Sequence, residues 1–136
     1  MAQSNSSKDK EEPPKGYPVR IHVYDLSQGM ASMYSQQLIG KQVDGIWHTA
    51  IIVYDVEYFY GGGIQSDRPG MTPYGKPLRN INMGETFIPQ SVFHEFLNEV
   101  SPRFSPSKYD LFKHNCNTFA NEAMNFLNGK NIPECM

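Results

Sequence analysis

The chain has 136 residues, a length that suits one domain with one hydrophobic core. Apolar residues make up 39% and aromatics 12%, too much for a wholly disordered chain. Twelve basic residues against fourteen acidic ones give a net charge of −2, which leaves no basic footprint for a nucleic-acid backbone.

Met1 to Gly16 is polar, holds Pro13-Pro14 and has no aromatic residue, so it reads as a disordered tail. The globular domain is expected over 17–136. No apolar run is long enough for a signal peptide or a membrane span. The expected setting is the cytoplasm, with the nucleus left open, and reduced thiols.

Val19, Ile21 and Val23 alternate with Arg20, His22 and Tyr24, which predicts a strand with His22 facing outward. Ser27 is a candidate N-cap for a helix carrying Met30, Met33, Tyr34 and Leu38 and ending near Gly40. Trp47 to Tyr54 is rich in strand formers and nearly all apolar, so both of its faces are expected to be buried. Asp55-Val56 is expected to turn the chain into a hairpin partner over Glu57–Tyr60. Gly61-Gly62-Gly63 then ends that strand, and an irregular surface loop is expected as far as Pro77. Arg79–Met83 reads as a short strand. Pro89 suits the first turn of a helix whose apolar face is Val92, Phe93, Phe96, Leu97 and Val100, stopped by Ser101-Pro102. Tyr109–Phe112 reads as a short extended piece. Cys116, Phe119, Ala120, Ala123, Met124 and Leu127 share one face of a last helix, with Asn115 as N-cap and Gly129 at its end.

Two cysteines, Cys116 and Cys135, cannot build a disulfide framework. Cys116 opens a helix, where unpaired N–H groups favour a thiolate and can hold an oxyanion. The plainer alternative is a small buried hydrophobe. A thiolate nucleophile wants a general base, and His is the usual one. His94 lies beside Glu95 on an exposed helix position and reads as a solvated residue. His114, two residues before Cys116, suits a structural hydrogen bond. His48 lies within an apolar strand, where an imidazole is costly without a partner; a satisfied core histidine and a catalytic base both remain open on spacing alone. His114, Cys116 and His48 match no common zinc spacing, so neither metal nor cofactor is expected.

Gly45-Ile46-Trp47-His48-Thr49 and His114-Asn115-Cys116-Asn117-Thr118-Phe119 resemble the two signature blocks of the PPPDE superfamily, the permuted papain-like peptidases. Tyr17-Pro18-Val19, Val23 to Ser27 and Gly40-Lys41-Gln42 extend the likeness to its desumoylating isopeptidase branch, over about Tyr17 to Pro133. The resemblance implies an α+β, circularly permuted papain-like fold, a small antiparallel sheet packed with helices. It implies Cys116 as nucleophile and His48 as general base, with no assigned third member. Asn115 and Asn117, which flank the nucleophile, are expected to cap the helix. The implied reaction is cleavage after the C-terminal Gly-Gly of a ubiquitin-like modifier, SUMO in that branch, by an enzyme expected to form homodimers. Trp47, Tyr58 and Tyr60 are candidate walls for a channel admitting that tail, with core packing the simpler role. Animal relatives continue with a further tail beyond the point where this chain stops, so any targeting signal there is expected to be absent. Rival readings are a thioester hydrolase or lipid acyltransferase using the same pair, and a modifier-binding module without turnover. The related lipid enzymes carry a second His where this chain has Thr118.

Overall fold

The computed structural model describes residues 16–26, 47–110 and 114–133. Residues 1–15 of the tail expected over 1–16, the helix after Ser27, and Cys135 lie outside them. Among these residues five strands, β1 (Tyr17–Asp25), β2 (Trp47–Val53), β3 (Val56–Gly61), β4 (Gly63–Asp67) and β5 (Arg79–Thr86), precede two helices, α1 (Gln90–Val100) and α2 (Cys116–Asn128). Short 3-10 turns at Ser101–Phe104 and Pro106–Lys108 connect the helices. The sheet runs β4-β3-β2-β1-β5, every neighbouring pair antiparallel. This mixed architecture of sheet and helices agrees with the expected α+β class. No helix among the described residues is long and apolar enough to cross a membrane.

The β2–β3 hairpin turns one residue earlier than expected, at Tyr54-Asp55, where φ is 55° and 61°. Val53 pairs with Val56, so both β-branched residues stay in the ladder. The left-handed backbone at Tyr54 is held from outside: its hydroxyl donates to the Ile88 carbonyl and its ring packs on Tyr17 and Phe93.

The glycine run does not begin a loop, contrary to the sequence-based expectation. Gly63, with φ of 94°, folds the chain straight back into β4, and Gly61 pairs with Gly63. The outer half of β4 is exposed, an edge strand with no apolar period to betray it. The irregular loop is therefore shorter, 68–78. The strand expected over Arg79–Met83 continues to Thr86.

One face of the sheet carries Val19, Ile21, Val23, Ile51, Val53, Tyr58 and Tyr60 against Phe93, Val100, Phe119, Ala120, Ala123, Met124 and Leu127. The i, i+3, i+4 spacing on α2 produces that contact. Phe96 of α1 stacks on Phe126 of α2 at 4.3 Å, joining the helices side by side. Tyr58 and Tyr60 belong to this core, so packing, not a channel, accounts for them.

The opposite face is buried as well, and here the sequence reading of His22 fails. His22, Tyr24, His48, Ala50, Ile52, Glu57 and Phe59 are all buried, with loop 68–78 lying against Tyr24, His48, Glu57 and Phe59. A period of two separates the faces of a strand but does not say whether the second face meets solvent.

Candidate active site

α2 begins at Cys116 because Asn115 caps it. The Asn115 side chain accepts from the N–H groups of Asn117 (2.9 Å) and Thr118 (3.3 Å). Thr118 returns the bond, its hydroxyl accepting from the Asn115 N–H at 3.1 Å. Gly129, at φ 78°, closes the other end in the left-handed conformation. The cap places the sulfur in the first turn, and Thr118, where the lipid enzymes carry a second His, is held in the cap.

The cradle for that turn comes from a gap in the sheet. β2 and β3 pair only from Ile51↔Tyr58 to Val53↔Val56. Ahead of Ile51, β2 is unpaired on that side, and the N-terminus of α2 fills the opening. The N–H groups of Thr49, Cys116 and Asn117 face the Cys116 sulfur, and the Tyr109 hydroxyl donates to it at 3.6 Å. Burial pushes the Cys116 thiol up, and these donors oppose the shift without cancelling it. The sulfur is buried, with Cys116 1% exposed.

His48 lies one residue before Thr49 in β2, and burial lowers its imidazole to about 4, so the ring is neutral at physiological pH. Its Nε2 is buried and has no hydrogen-bond partner among the described residues. Tyr74, from loop 68–78, lies on the ring with centroids 3.8 Å apart. Tyr24 and Phe59 close the ring in further, at 5.5 and 5.9 Å. Burial raises the Tyr74 phenol, and the nearby Cys116 sulfur, once ionised, raises it further. Strand and helix therefore bring His48 and Cys116 to the same end of the sheet, with Tyr74 beside both.

Asn117 has a different task from the one expected of it. It grips β2 on both sides of His48, accepting from the Thr49 hydroxyl at 2.6 Å and donating to the Trp47 carbonyl at 3.3 Å. This clasp sets the height of the helix start against the strand that carries the imidazole.

The remaining histidines have structural partners. His114 bonds the Arg103 carbonyl and stacks on Phe104 at 4.7 Å, as its position suggested. His94 is exposed but not merely solvated, since its Nε2 meets the Tyr58 hydroxyl at 2.9 Å. His22 meets the fully buried Glu57 at 3.1 Å. The same carboxylate accepts from the Tyr24 hydroxyl and from the Gly70 N–H at 2.8 Å. Glu57 thereby ties loop 68–78, and with it Tyr74, to the sheet.

Residues 17–136 match the PPPDE putative peptidase domain, and the chain belongs to that family of peptidases. It is 47% identical to desumoylating isopeptidase 1 of Homo sapiens over 124 residues, covering 90% of this chain and 74% of the human protein. The Rattus norvegicus protein of the same name is 46% identical over the same shares. That of Xenopus laevis is 49% identical over 117 residues, 85% of this chain and 69% of its own length.

Proposed function

We propose that this chain is a cysteine isopeptidase that removes a ubiquitin-like modifier of the SUMO type from conjugated proteins, on a circularly permuted papain-like layout. Cys116 is the nucleophile and His48 the general base. His48 takes the thiol proton as the sulfur attacks the carbonyl carbon of the modifier's terminal glycine. The carbon–sulfur bond forms, and the carbonyl electron pair becomes an oxyanion. Collapse of this intermediate breaks the carbon–nitrogen bond, and His48 returns its proton to the departing lysine amine. Water then attacks the thioester with His48 again as base, releasing the modifier's carboxylate and the thiol. The strand histidine comes 68 positions before the helix cysteine, the reverse of the ordinary papain order, and catalysis depends on geometry rather than on order.

The observation that carries this reading is the set of donors gathered on the Cys116 sulfur, at the end of the sheet where β2 presents His48. A buried structural cysteine needs no such set. The neutral imidazole and raised thiol fit a resting pair that exchanges its proton only when substrate binds.

The test is hydrolysis of a SUMO C-terminal aminomethylcoumarin amide, run beside an acyl-thioester substrate. Cys116→Ser is expected to abolish SUMO cleavage and leave the fold unchanged. Retained turnover would remove the nucleophile assignment, and faster turnover of the thioester would favour a lipid-type hydrolase. His48→Ala is expected to cost roughly 10²–10⁴-fold, as for a general base. A loss below tenfold would assign the base elsewhere.

A further inference from the structure

We propose that Tyr109 is a third catalytic residue, the side-chain hydrogen-bond donor that solvates the Cys116 thiolate and then the oxyanion formed from it. This inference rests on the reading of Cys116 as nucleophile and adds a group to which no role has been assigned.

The helix N-terminus alone is a poor oxyanion site here. The N–H groups of Asn117 and Thr118 are engaged by the Asn115 cap. The Cys116 N–H faces the Tyr109 oxygen as well as its own sulfur. The donors not already bonded within the cap are therefore few, and Tyr109 is the one side chain among the described residues that donates to the sulfur. At 3.6 Å from Sγ, its hydroxyl lies where an oxygen joined to that sulfur through one carbon comes within reach. A donor aimed at such an oxygen is best placed at roughly 2.7–3.1 Å.

The hydroxyl is held for that purpose from both sides. The Tyr109 ring packs on Tyr60 at 4.9 Å. Immediately after it, Asp110 and His114 exchange two backbone hydrogen bonds, at 2.8 and 3.0 Å, which fasten the segment to the start of α2. His114 in turn is fixed on Phe104 and the Arg103 carbonyl. The structural role of His114 thus has a use: it braces the loop that aims Tyr109.

The chemistry asks nothing of Tyr109 beyond its hydrogen bond. As the sulfur attacks, negative charge passes from Sγ to the acyl oxygen, and the hydroxyl follows it while keeping its proton. Burial and the neighbouring sulfur raise the phenol, so it stays a donor throughout the pH range in which the thiolate forms. The titratable groups that act on the sulfur are Tyr109 and, from the loop, Tyr74; the proposed base His48 lies on β2 one residue before Thr49, whose N–H faces the sulfur.

Tyr109→Phe removes the oxygen and keeps the ring on Tyr60. Two readouts follow: kcat and KM for the SUMO aminomethylcoumarin amide, and the pH dependence of Cys116 alkylation by iodoacetamide. The expected result is a kcat lower by about 10²–10³-fold, as for loss of one oxyanion donor, with KM within about twofold. The alkylation profile is expected to move to higher pH, because the thiolate loses a donor. A kcat within threefold of wild type, or an unmoved alkylation profile, would overturn the proposal. Should the Phe variant unfold, 3,5-difluorotyrosine introduced at position 109 replaces it, since its phenol ionises well below the ordinary tyrosine range. The same surroundings raise that phenol too, but it still loses its proton at a lower pH than tyrosine's, so the alkaline fall in activity should move to lower pH than in wild type; an alkaline limb identical to wild type would overturn the proposal. Survival of hydrolysis in Cys116→Ser would be a different failure, that of the nucleophile assignment itself.

Discussion

On one face of the sheet, Val19, Ile21, Val23 and Ile51 meet Phe93, Phe119 and Met124, a contact built from apolar side chains at helical spacing. On the other face, His22, Tyr24, Glu57 and His48 are buried; His22, Tyr24 and the loop's Gly70 N–H bond the Glu57 carboxylate, and the loop's Tyr74 covers the His48 ring. The first face owes its burial to the hydrophobic effect, which is indifferent to direction. The second keeps polar groups dry only as long as their partners stay in place, so position there is specified far more tightly. Stability and placement are thereby divided between the two sides of one sheet, and the proposed active site lies at the end where they meet.

The largest effect expected from this division is on the helix side. Phe93→Ala, at a fully buried ring touching Tyr54, Tyr58, Phe96 and Phe126, should cost about 3–5 kcal/mol. Urea denaturation would read it, while turnover per folded molecule stays near wild type. A large fall in kcat with little loss of stability would break the comparison.

The second effect is acid sensitivity on the loop side. His48 ionises near 4 when folded against an ordinary 6.5, so below about 6.5 the unfolded chain binds the extra proton. Stability should be fully present above that pH, decline as pH falls toward 4, and level off below it. Lowering the imidazole from 6.5 to about 4 corresponds to about 3 kcal/mol. Unfolding measured at several pH values should show this slope in wild type and a much flatter one in His48→Asn. Glu122, lowered chiefly by its bond to Arg103, adds acid sensitivity of the same sign in both proteins. Equal slopes would show that His48 is not buried as a neutral ring.

The smallest change in stability, and the sharpest in placement, is expected at Asn117, which fastens the helix start to β2. Asn117→Ala should lose about 1–2 kcal/mol, yet lower kcat by roughly 10–100-fold with KM held, since small misplacements of reacting groups are costly. An unchanged kcat would mean that the clasp does not set the distance between strand and helix.

How much of this was legible in the residues depended on which physics wrote it. α2 could be read to within a residue, because its cap, its apolar spacing and its terminal glycine are all local signals. β1 and β2 were legible from their apolar content. β4 was not, because an exposed edge strand of Gln65, Ser66 and Asp67 carries no alternation. The burial of His22 was missed because its partner Glu57 lies on another strand and is itself held by a loop, and a loop has no period. Spacing alone left Cys116 and His48 undecided, and family resemblance singled them out. The places of Asn117 and Tyr109 in the site could not be read at all. Asn117 works through Thr49, 68 residues away, and Tyr109 through a single hydroxyl at the end of an irregular segment.

The tie between Glu57 and Gly70 limits what the loop itself can become. At its far end the Leu78 N–H bonds the Val23 carbonyl at 2.7 Å, so the span carrying Tyr74 is moored twice to the sheet. One residue added between Gly70 and Tyr74 would leave both moorings intact and still carry the aromatic ring off the imidazole. The loop's composition is freer than its length, and a shortened or lengthened version would report directly on what uncovering His48 does to the reaction.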